Sequence, residues 1–188
     1  MRSEANGIPI AGFRSQIDGM MISSSVQHYQ VHDRLYAGEY PGSFAPEVTE
    51  DRLKLLLEKG VQTFIDLTTP HDLLDPYEPV LLELGEGLTR YSHEIPDLGV
   101  PATPQVMRGI LDRLRSELDS GRTCYVHCWA GIGRTGTVIG CWLKESGLDV
   151  GAALDEVQRL YASGMEKVVH HPRSPQTPEQ VRYVKDWR

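Results

Sequence analysis

Cys128 and Arg134 are the two residues of this chain whose chemical types and spacing could act together on a substrate. The alternating run from Cys124 to His127 predicts a buried strand that leads into Cys128, and a helical pattern covers residues 135–145. A strand, a tight glycine-bearing loop and a helix start together form an anion cradle. Backbone N–H groups point into such a loop, and the helix N-terminus carries partial positive charge. This segment therefore predicts a binding site for an anion such as phosphate.

The chemistry of the two side chains fits such a site. Helix N-termini and nearby cations favour the thiolate form of a cysteine, so we expect Cys128 to be a nucleophile. The guanidinium of Arg134 can bind two phosphate oxygens through paired hydrogen bonds. A cation at a helix N-terminus is otherwise unfavourable, so its placement there calls for an anion. A thiolate in a phosphate-shaped nest is suited to removing a phosphoryl group from an ester.

The pattern His-Cys-x5-Arg-Thr at residues 127–135 resembles the signature loop of the cysteine-dependent protein tyrosine phosphatase superfamily. Residues 130–137 are similar to the tyrosine-specific branch, whereas the length of the chain is similar to compact, dual-specificity-like members. The resemblance implies hydrolysis of phosphotyrosine, with phosphoserine and phosphothreonine left open, through a phosphocysteine intermediate on Cys128. It also implies that the phosphate is bound by the loop residues Trp129, Ala130, Gly131, Ile132, Gly133 and Arg134.

Two residues that flank the loop have alternative interpretations. Thr135 could donate its hydroxyl to the sulfur of Cys128 and ease the departure of that sulfur from the intermediate, or it could be an ordinary helix-start hydroxyl. His127 could tune the loop through hydrogen bonds, or it could be a core histidine whose own hydrogen bonds are satisfied.

The thiolate needs a partner acid, because an ester oxygen leaves poorly unless it is protonated. Asp97 is the best candidate, since residues 95–101 resemble the mobile general-acid loop of the superfamily. Tyrosine-specific members have tryptophan where this chain has Ile95, which leaves the closing motion open. An aspartate after proline can also simply form a turn. The rival carboxylates Glu94 and Asp66 are expected in or near strands, in structural roles.

Residues 176–180, Gln-Thr-Pro-Glu-Gln, resemble the glutamine loop of tyrosine phosphatases. By this resemblance, Gln176 and Gln180 would orient the water that hydrolyses the intermediate. Gln180 has a second interpretation. Thr177 at a helix N-cap with a glutamine three residues later forms a capping box, which requires no catalysis.

The composition of the chain excludes several other classes of protein. Its net charge of −7 argues against nucleic-acid binding, and no apolar run approaches the roughly 20 residues of a membrane span. The 3 cysteines include no CxxC pair and no signal peptide is evident, so we expect a cytoplasmic protein. We expect a monomer that acts on a phosphorylated protein or peptide without a cofactor. No metal is expected, because the adjacent pair His170-His171 does not make a ligand set.

The order of the predicted elements indicates the fold class. Strands alternate with helices, which predicts an α/β fold with a central, mostly parallel sheet flanked by helices and a phosphate-binding loop between a strand and a helix. We expect an irregular N-terminal arm over residues 1–30 and a single phosphatase domain over residues 31–188. The patterns predict strands at residues 35–37, 61–67, 88–95 and 123–127, and helices at residues 50–59, 76–84, 104–120, 135–145, 152–162 and 178–187.

Other functions are compatible with parts of the sequence. Residues 131–136 also match G-x-G-x-x-G, a dinucleotide-binding pattern, but Asp155 and Glu156, about 20 positions further on, fall inside a predicted helix. A pseudophosphatase would bind phosphorylated partners without turnover, although the nucleophile, the arginine and an acid candidate are all present here. A phosphoinositide or inositol phosphate phosphatase would be expected to carry additional cations in its loop, whereas the variable positions Trp129 and Ile132 are apolar.

Overall fold

The computed structural model describes residues 23–188. Most of the arm expected over residues 1–30 lies outside this part of the chain. The expectation of irregular structure up to residue 30 is wrong for residues 28–30, because they form the start of strand β1 (His28–His32). This strand pairs with the next one along the chain, so the sheet begins before the expected domain boundary.

The sheet contains β1 together with β2 (Leu35–Gly38), β3 (Val61–Asp66), β4 (Thr89–Ser92) and β5 (Thr123–His127). The spatial order is β1-β2-β5-β3-β4. β1 and β2 are antiparallel, and the other neighbouring pairs are parallel. The predicted α/β fold with a mostly parallel central sheet is confirmed.

Helices cover both faces of this sheet. They are α1 (Pro46–Glu58), α2 (Glu78–Leu84), α3 (Pro104–Asp119), α4 (Gly133–Glu145), α5 (Val150–Gly164) and α6 (Pro178–Asp186). Two short 3-10 turns, Pro70–Asp72 and Glu166–Val169, were not predicted from the sequence. No helix among residues 23–188 is both long and apolar enough to cross a membrane.

The central strands β2, β3 and β5 are buried on both faces of the sheet, which explains why β3 and β5 were visible in the sequence. On one face, α1 and α2 pack over Phe64 and Tyr125. On the other face, helices α3 to α6 pack over Ile65 and Val126. The strand β5 lies in the middle of the sheet and is buried at every position. Its carboxyl end therefore opens a loop at the edge of the sheet where β2 and β3 also end.

Several element ends differ from the patterns. α1 begins at Pro46 rather than at residue 50, because proline is well placed in a first helical turn. Thr103 precedes α3 as expected, but its side chain makes no capping hydrogen bond. The difference that matters for the site is in α4, which begins at Gly133 and so places Arg134 in its first turn.

Candidate active site

The loop between β5 and α4 is shaped by the end of the neighbouring strand β2. Gly131 has a φ of +74°, and a Cβ at this position would lie 2.5 Å from the backbone of Gly38. Only glycine meets both conditions without strain. The N–H of Tyr40 donates to the carbonyl of Trp129 at 2.9 Å. No side chain caps the N-terminus of α4, so its first N–H groups remain available to an anion in the loop.

A cavity of about 530 Å³ opens above this loop. Its lining includes Asp97, Cys128, Trp129, Arg134, Gln176 and Gln180. The structure thus brings the residues expected to act together to one place, although they come from three separate segments of the chain. Cys128 is only 3% exposed, so access to its sulfur is through this cavity.

Arg134 is 1% exposed and is held from several sides. Its Nη1 and Nη2 donate to Oδ2 and Oδ1 of Asp72, each at 2.9 Å. Nη1 also donates to the carbonyl of Ile95 at 3.2 Å, and Nη2 lies 2.9 Å from Oδ1 of Asp97. Burial opposes the charge of this guanidinium. Its pKa is nevertheless raised above the usual value by the hydrogen bond to Asp72 and by the charges of Cys128, Asp72 and Asp97. The arginine is therefore charged and has a fixed orientation.

Asp72 is a residue of this site that the sequence analysis missed. It ends the 3-10 turn after β3, and its carboxylate also accepts hydrogen bonds from the N–H and the hydroxyl of Thr69. Burial disfavours its charged form, but the bonds from Arg134 and Thr69 hold its pKa below the usual value. The Thr-Pro-His-Asp segment signals a capped turn. It does not signal the arginine, which lies far away in the sequence.

The loop that carries Asp97 rests against the start of α6. The carbonyl of Gly99 accepts a hydrogen bond from Nε2 of Gln180 at 2.9 Å, and the carbonyl of Leu98 accepts one from Oγ1 of Thr177 at 3.4 Å. Leu98 has a φ of +58°, a left-handed conformation that costs a non-glycine residue about 1–2 kcal/mol. The Asp97 side chain is 53% exposed and its carboxylate contacts the guanidinium of Arg134, so the loop places this side chain at the cavity.

Gln180 is fully buried and forms the predicted capping box with Thr177. Its Oε1 accepts hydrogen bonds from the N–H groups of Gln176 and Thr177, at 3.1 and 3.0 Å. The same amide packs against the β5–α4 loop, since a Cβ at Gly133 would lie 2.7 Å from Oε1. One side chain thus contacts the loop of Asp97, the loop of Cys128 and the loop of Gln176. The Gln176 residue is itself exposed and lines the cavity.

His127 lies buried beneath the loop. Its Nε2 is 2.8 Å from the hydroxyl of Tyr77, and its Nδ1 is 3.8 Å from Oδ1 of Asp66. Burial lowers the pKa of His127 despite the nearby carboxylate.

The two rival carboxylates lie elsewhere. Asp66 is buried and pairs with Arg90 at 2.9 Å, and Glu94 is exposed and lines a different cavity. Neither rival carboxylate lines the cavity of Cys128.

The hydroxyl of Thr135 is buried and has no hydrogen-bond partner among the described residues. The hydrogen bond expected between this hydroxyl and the sulfur of Cys128 is therefore not formed in this structure. Ser174, which the sequence analysis also missed, supports the loop by donating to the carbonyl of Ile132 at 2.8 Å. Burial raises the pKa of the Cys124 thiol to about 12, which suits a packing role.

Solved structures share this fold. Tk-PTP in its active form has a TM-score of 0.64 and 23% identity, with 86% of this chain and 95% of that chain covered. PTPMT1 in complex with PI(5)P has a TM-score of 0.63 and 16% identity, with 86% of this chain and 94% of that chain covered. These likenesses show that the fold is shared, and in this chain the Cys-x5-Arg segment lies between β5 and α4.

Sequence comparisons identify the family. The family Tc-R-P, described as "Polymorphic toxin system, DSP-PTPase phosphatase", matches residues 39–148, and the chain belongs to it. The chain is also 28% identical over 138 residues to cyclin-dependent kinase inhibitor 3 of Rattus norvegicus, which covers 71% of this chain. The match spans 60% of the length of that relative. The resemblance to the phosphatase superfamily is thereby confirmed, and the family is one of cysteine-based dual-specificity phosphatases, which are hydrolases.

Proposed function

We propose that this protein hydrolyses phosphotyrosine, and also phosphoserine and phosphothreonine, in phosphorylated proteins or peptides through a phosphocysteine intermediate on Cys128. The observation that carries the proposal is that Cys128, Arg134 and Asp97 line one cavity. A nucleophile, an anion-binding cation and an acid are the groups that phosphoryl transfer to a cysteine requires.

In the first step, the Cys128 thiolate attacks phosphorus and the bond from phosphorus to the ester oxygen breaks. Protonated Asp97 gives its proton to that oxygen as it leaves. Arg134 and the first N–H groups of α4 bind the remaining phosphate oxygens, where negative charge must be stabilised. Asp72 acts through Arg134, because it fixes the plane and the charge of the guanidinium.

In the second step, water attacks the phosphocysteine, the phosphorus–sulfur bond breaks and the sulfur leaves as a thiolate. Asp97, now a carboxylate, accepts the proton of the water. Gln176 would orient this water, because its exposed side chain lines the cavity. The buried hydroxyl of Thr135, which has no hydrogen-bond partner among the described residues, would be available to donate to the sulfur as it leaves. Gln180 acts by positioning, since its amide already bonds to Gly99 and to its own capping box.

The mouth of the cavity favours an aromatic carrier of a single phosphate. Trp129 and Leu98 line it and are 55% and 51% exposed, so they offer apolar surface to a phosphotyrosine ring. Lys167 also lines the cavity, but it already pairs with Glu39 and donates to the carbonyl of Ala130 at 3.4 Å. An inositol ring with several phosphates would need more free cations at this place.

A phosphoinositide with one ring phosphate is the second candidate substrate. The observation in its favour is that PTPMT1, a structure of the same fold, contains PI(5)P. Such a lipid needs only one phosphate-binding loop, so the scarcity of free cations does not argue against it.

The test is phosphate release from a phosphotyrosine peptide, a matched phosphothreonine peptide and PI(5)P, with Cys128→Ser as the inactive variant and Cys124→Ser as the control. We expect turnover of both peptides, faster for phosphotyrosine, that is lost in Cys128→Ser and kept in Cys124→Ser. Higher kcat/KM for PI(5)P would replace the protein substrate with the lipid. Tight binding of a phosphopeptide without release of phosphate would contradict the proposed hydrolysis and would favour a protein that binds phosphopeptides without catalysis.

A further inference from the structure

A second groove of about 520 Å³ lies beside the active-site cavity, between the glutamine loop and α6. Gln176 lines both the cavity and the groove, so the two adjoin at that residue. The floor of the groove is apolar and is formed by Pro175, Pro178 and Val181. Its cations are Arg173, Arg182 and Lys185.

The three cations of the groove have exposed side chains. None of them forms an ion pair within 4.0 Å or a side-chain hydrogen bond with any residue between 23 and 188. Some exposed cations elsewhere are paired with carboxylates, as in Arg115–Glu145 and Arg159–Glu156. Within the described part of the chain, Arg34 and Lys59 are single unpaired cations outside any groove with further cations. The groove is therefore a place where positive charge is left open to solvent.

This positive charge is local, because the chain as a whole is acidic. The net charge is −7, yet residues 173–185 contain three lysine and arginine residues against one acidic residue, Glu179. Arg182 and Lys185 are three residues apart on α6 and so project from the same side of the helix. The buried residues Gln180 and Val184 fix the opposite side against the core.

We propose that this groove, Arg173 to Lys185, binds an acidic segment of the phosphoprotein substrate next to its phosphorylated residue. This proposal rests on the proposed function. An extended peptide whose phosphate lies on Arg134 would leave the cavity past Gln176 and enter the groove. Its carboxylates would meet the unpaired cations, while its stem atoms would contact the proline and valine floor. Charge complementarity and the position of the groove beside the cavity favour this occupant.

The test compares two phosphotyrosine peptides that differ only in their flanks, one with aspartate and glutamate and the other with asparagine and glutamine. The groove variant is Arg182→Glu with Lys185→Glu. The matched control is Arg34→Glu with Lys59→Glu, which reverses two exposed cations next to the amino ends of β2 and β3, at the far edge of the sheet. p-Nitrophenyl phosphate reports the catalytic groups alone, and thermal unfolding shows whether both variants are folded.

The wild-type protein should cleave the acidic peptide with a kcat/KM about 10-fold above that of the neutral peptide at low salt, since steering of opposite charges raises encounter rates by at least this factor. The groove variant should lose this preference, and the control should keep it. Both variants should cleave p-nitrophenyl phosphate like the wild type. High salt should remove the preference, because exposed charges are screened.

The outcomes separate the two proposals. If p-nitrophenyl phosphate and both peptides are left uncleaved, the proposed function fails. If both peptides are cleaved equally by the wild-type protein, the function stands and the groove proposal is overturned. Equal cleavage combined with binding to phosphatidylserine vesicles that only the groove variant loses would assign the groove to a membrane surface instead.

Discussion

Oδ1 of Asp97 lies 2.9 Å from Nη2 of Arg134, so the expected acid rests on the guanidinium that is expected to bind the phosphate. A phosphate oxygen bound at Nη2 would take the place of this carboxylate. Arrival of the substrate would thus free Asp97 to turn to the leaving oxygen. The second partner, Asp72, is buried and would keep the guanidinium in position while this exchange occurs.

Asp97→Ala should lower kcat and tighten phosphate binding at the same time. Loss of a general acid costs about 10²–10⁴-fold in rate, whereas loss of the competing carboxylate leaves Nη2 free for a phosphate oxygen. Steady-state kinetics on a phosphotyrosine peptide, with inorganic phosphate as a competitive inhibitor, measures both effects. Glu94→Gln is the control, because Glu94 is exposed and lines a different cavity. Weaker inhibition by phosphate in Asp97→Ala would argue against the competition.

Asp72→Asn should raise KM and lower the free energy of unfolding. The amide keeps the shape of the side chain but leaves the buried guanidinium of Arg134 without its bidentate partner, which costs about 1–3 kcal/mol. Urea unfolding and peptide kinetics test the two parts. Glu78→Gln is the matched control, since it removes a carboxylate 3.4 Å from Arg90 at the surface, and exposed pairs of this kind are worth about 0–1 kcal/mol. An unchanged KM and an unchanged free energy of unfolding in Asp72→Asn would show that Asp72 does not position Arg134.

Gly133→Ala should disturb the site through Gln180. The added Cβ would lie 2.7 Å from Oε1, and the buried amide can move only by giving up its bonds to Gly99 and Thr177. We expect kcat to fall by at least about 10-fold, because the loops that contact the Gln180 amide would no longer hold Asp97 and Cys128 in position. The control is Gly109→Ala in the interior of α3, where a Cβ meets nothing within 4 Å. This change should stabilise the protein by about 0.5–1 kcal/mol.

Gln180→Ala provides the second arm of that experiment. If Gly133→Ala acts by displacing the amide, its effect on kcat should be much smaller in the Gln180→Ala background. Additive effects of the two changes would show that the alanine perturbs the loop directly and not through Gln180.

Stability should fall as the pH is lowered from 7 to 5, in part because of His127. Burial holds the pKa of this ring below the 6.5 of an exposed histidine. Below pH 6.5 the unfolded chain therefore binds a proton that the folded protein does not, and folding is disfavoured by up to about 1.4 kcal/mol per pH unit per group. His28 and His93 also have lowered pKa values and contribute in the same direction. The free energy of unfolding, measured with urea at several pH values, should change less with pH in His127→Gln than in the wild-type protein. An equal change with pH in both proteins would contradict the role given to His127.

Peroxide should inactivate the enzyme by oxidising Cys128 and spare the other cysteines. Cys128 lines the open cavity, whereas Cys124 is buried and its thiol pKa is raised to about 12. Mass spectrometry of treated protein locates the added oxygen. Inorganic phosphate should protect Cys128, because it fills the loop. Full activity after peroxide treatment would contradict the expectation that Cys128 reacts as a thiolate.

The sequence by itself determined the fold class and the segments that carry the chemistry. Burial on both faces makes the strands of a parallel sheet apolar, and these runs were visible at β3 and β5. The Cys-x5-Arg spacing is equally local, since a strand, a loop and a helix start define the nest without any distant residue. Asp97 and the capping box of Gln180 were found for the same reason, because each belongs to a short contiguous pattern.

Only the tertiary structure decided which distant groups meet at this nest. Asp72 pairs with Arg134 across 62 positions of sequence, and Gln180 reaches Gly99 across 81. Neither contact can be predicted from the local sequence, because the segments of Asp72 and Gln180 have the sequence pattern of an ordinary capped turn and an ordinary helix cap. Parallel strands place their carboxyl ends at one edge of the sheet, and this shared edge brings the loop of Asp72 beside the loop of Cys128. The sequence therefore specified the groups that are proposed to react, and the packing of loops at that edge supplied the partners that hold them in position.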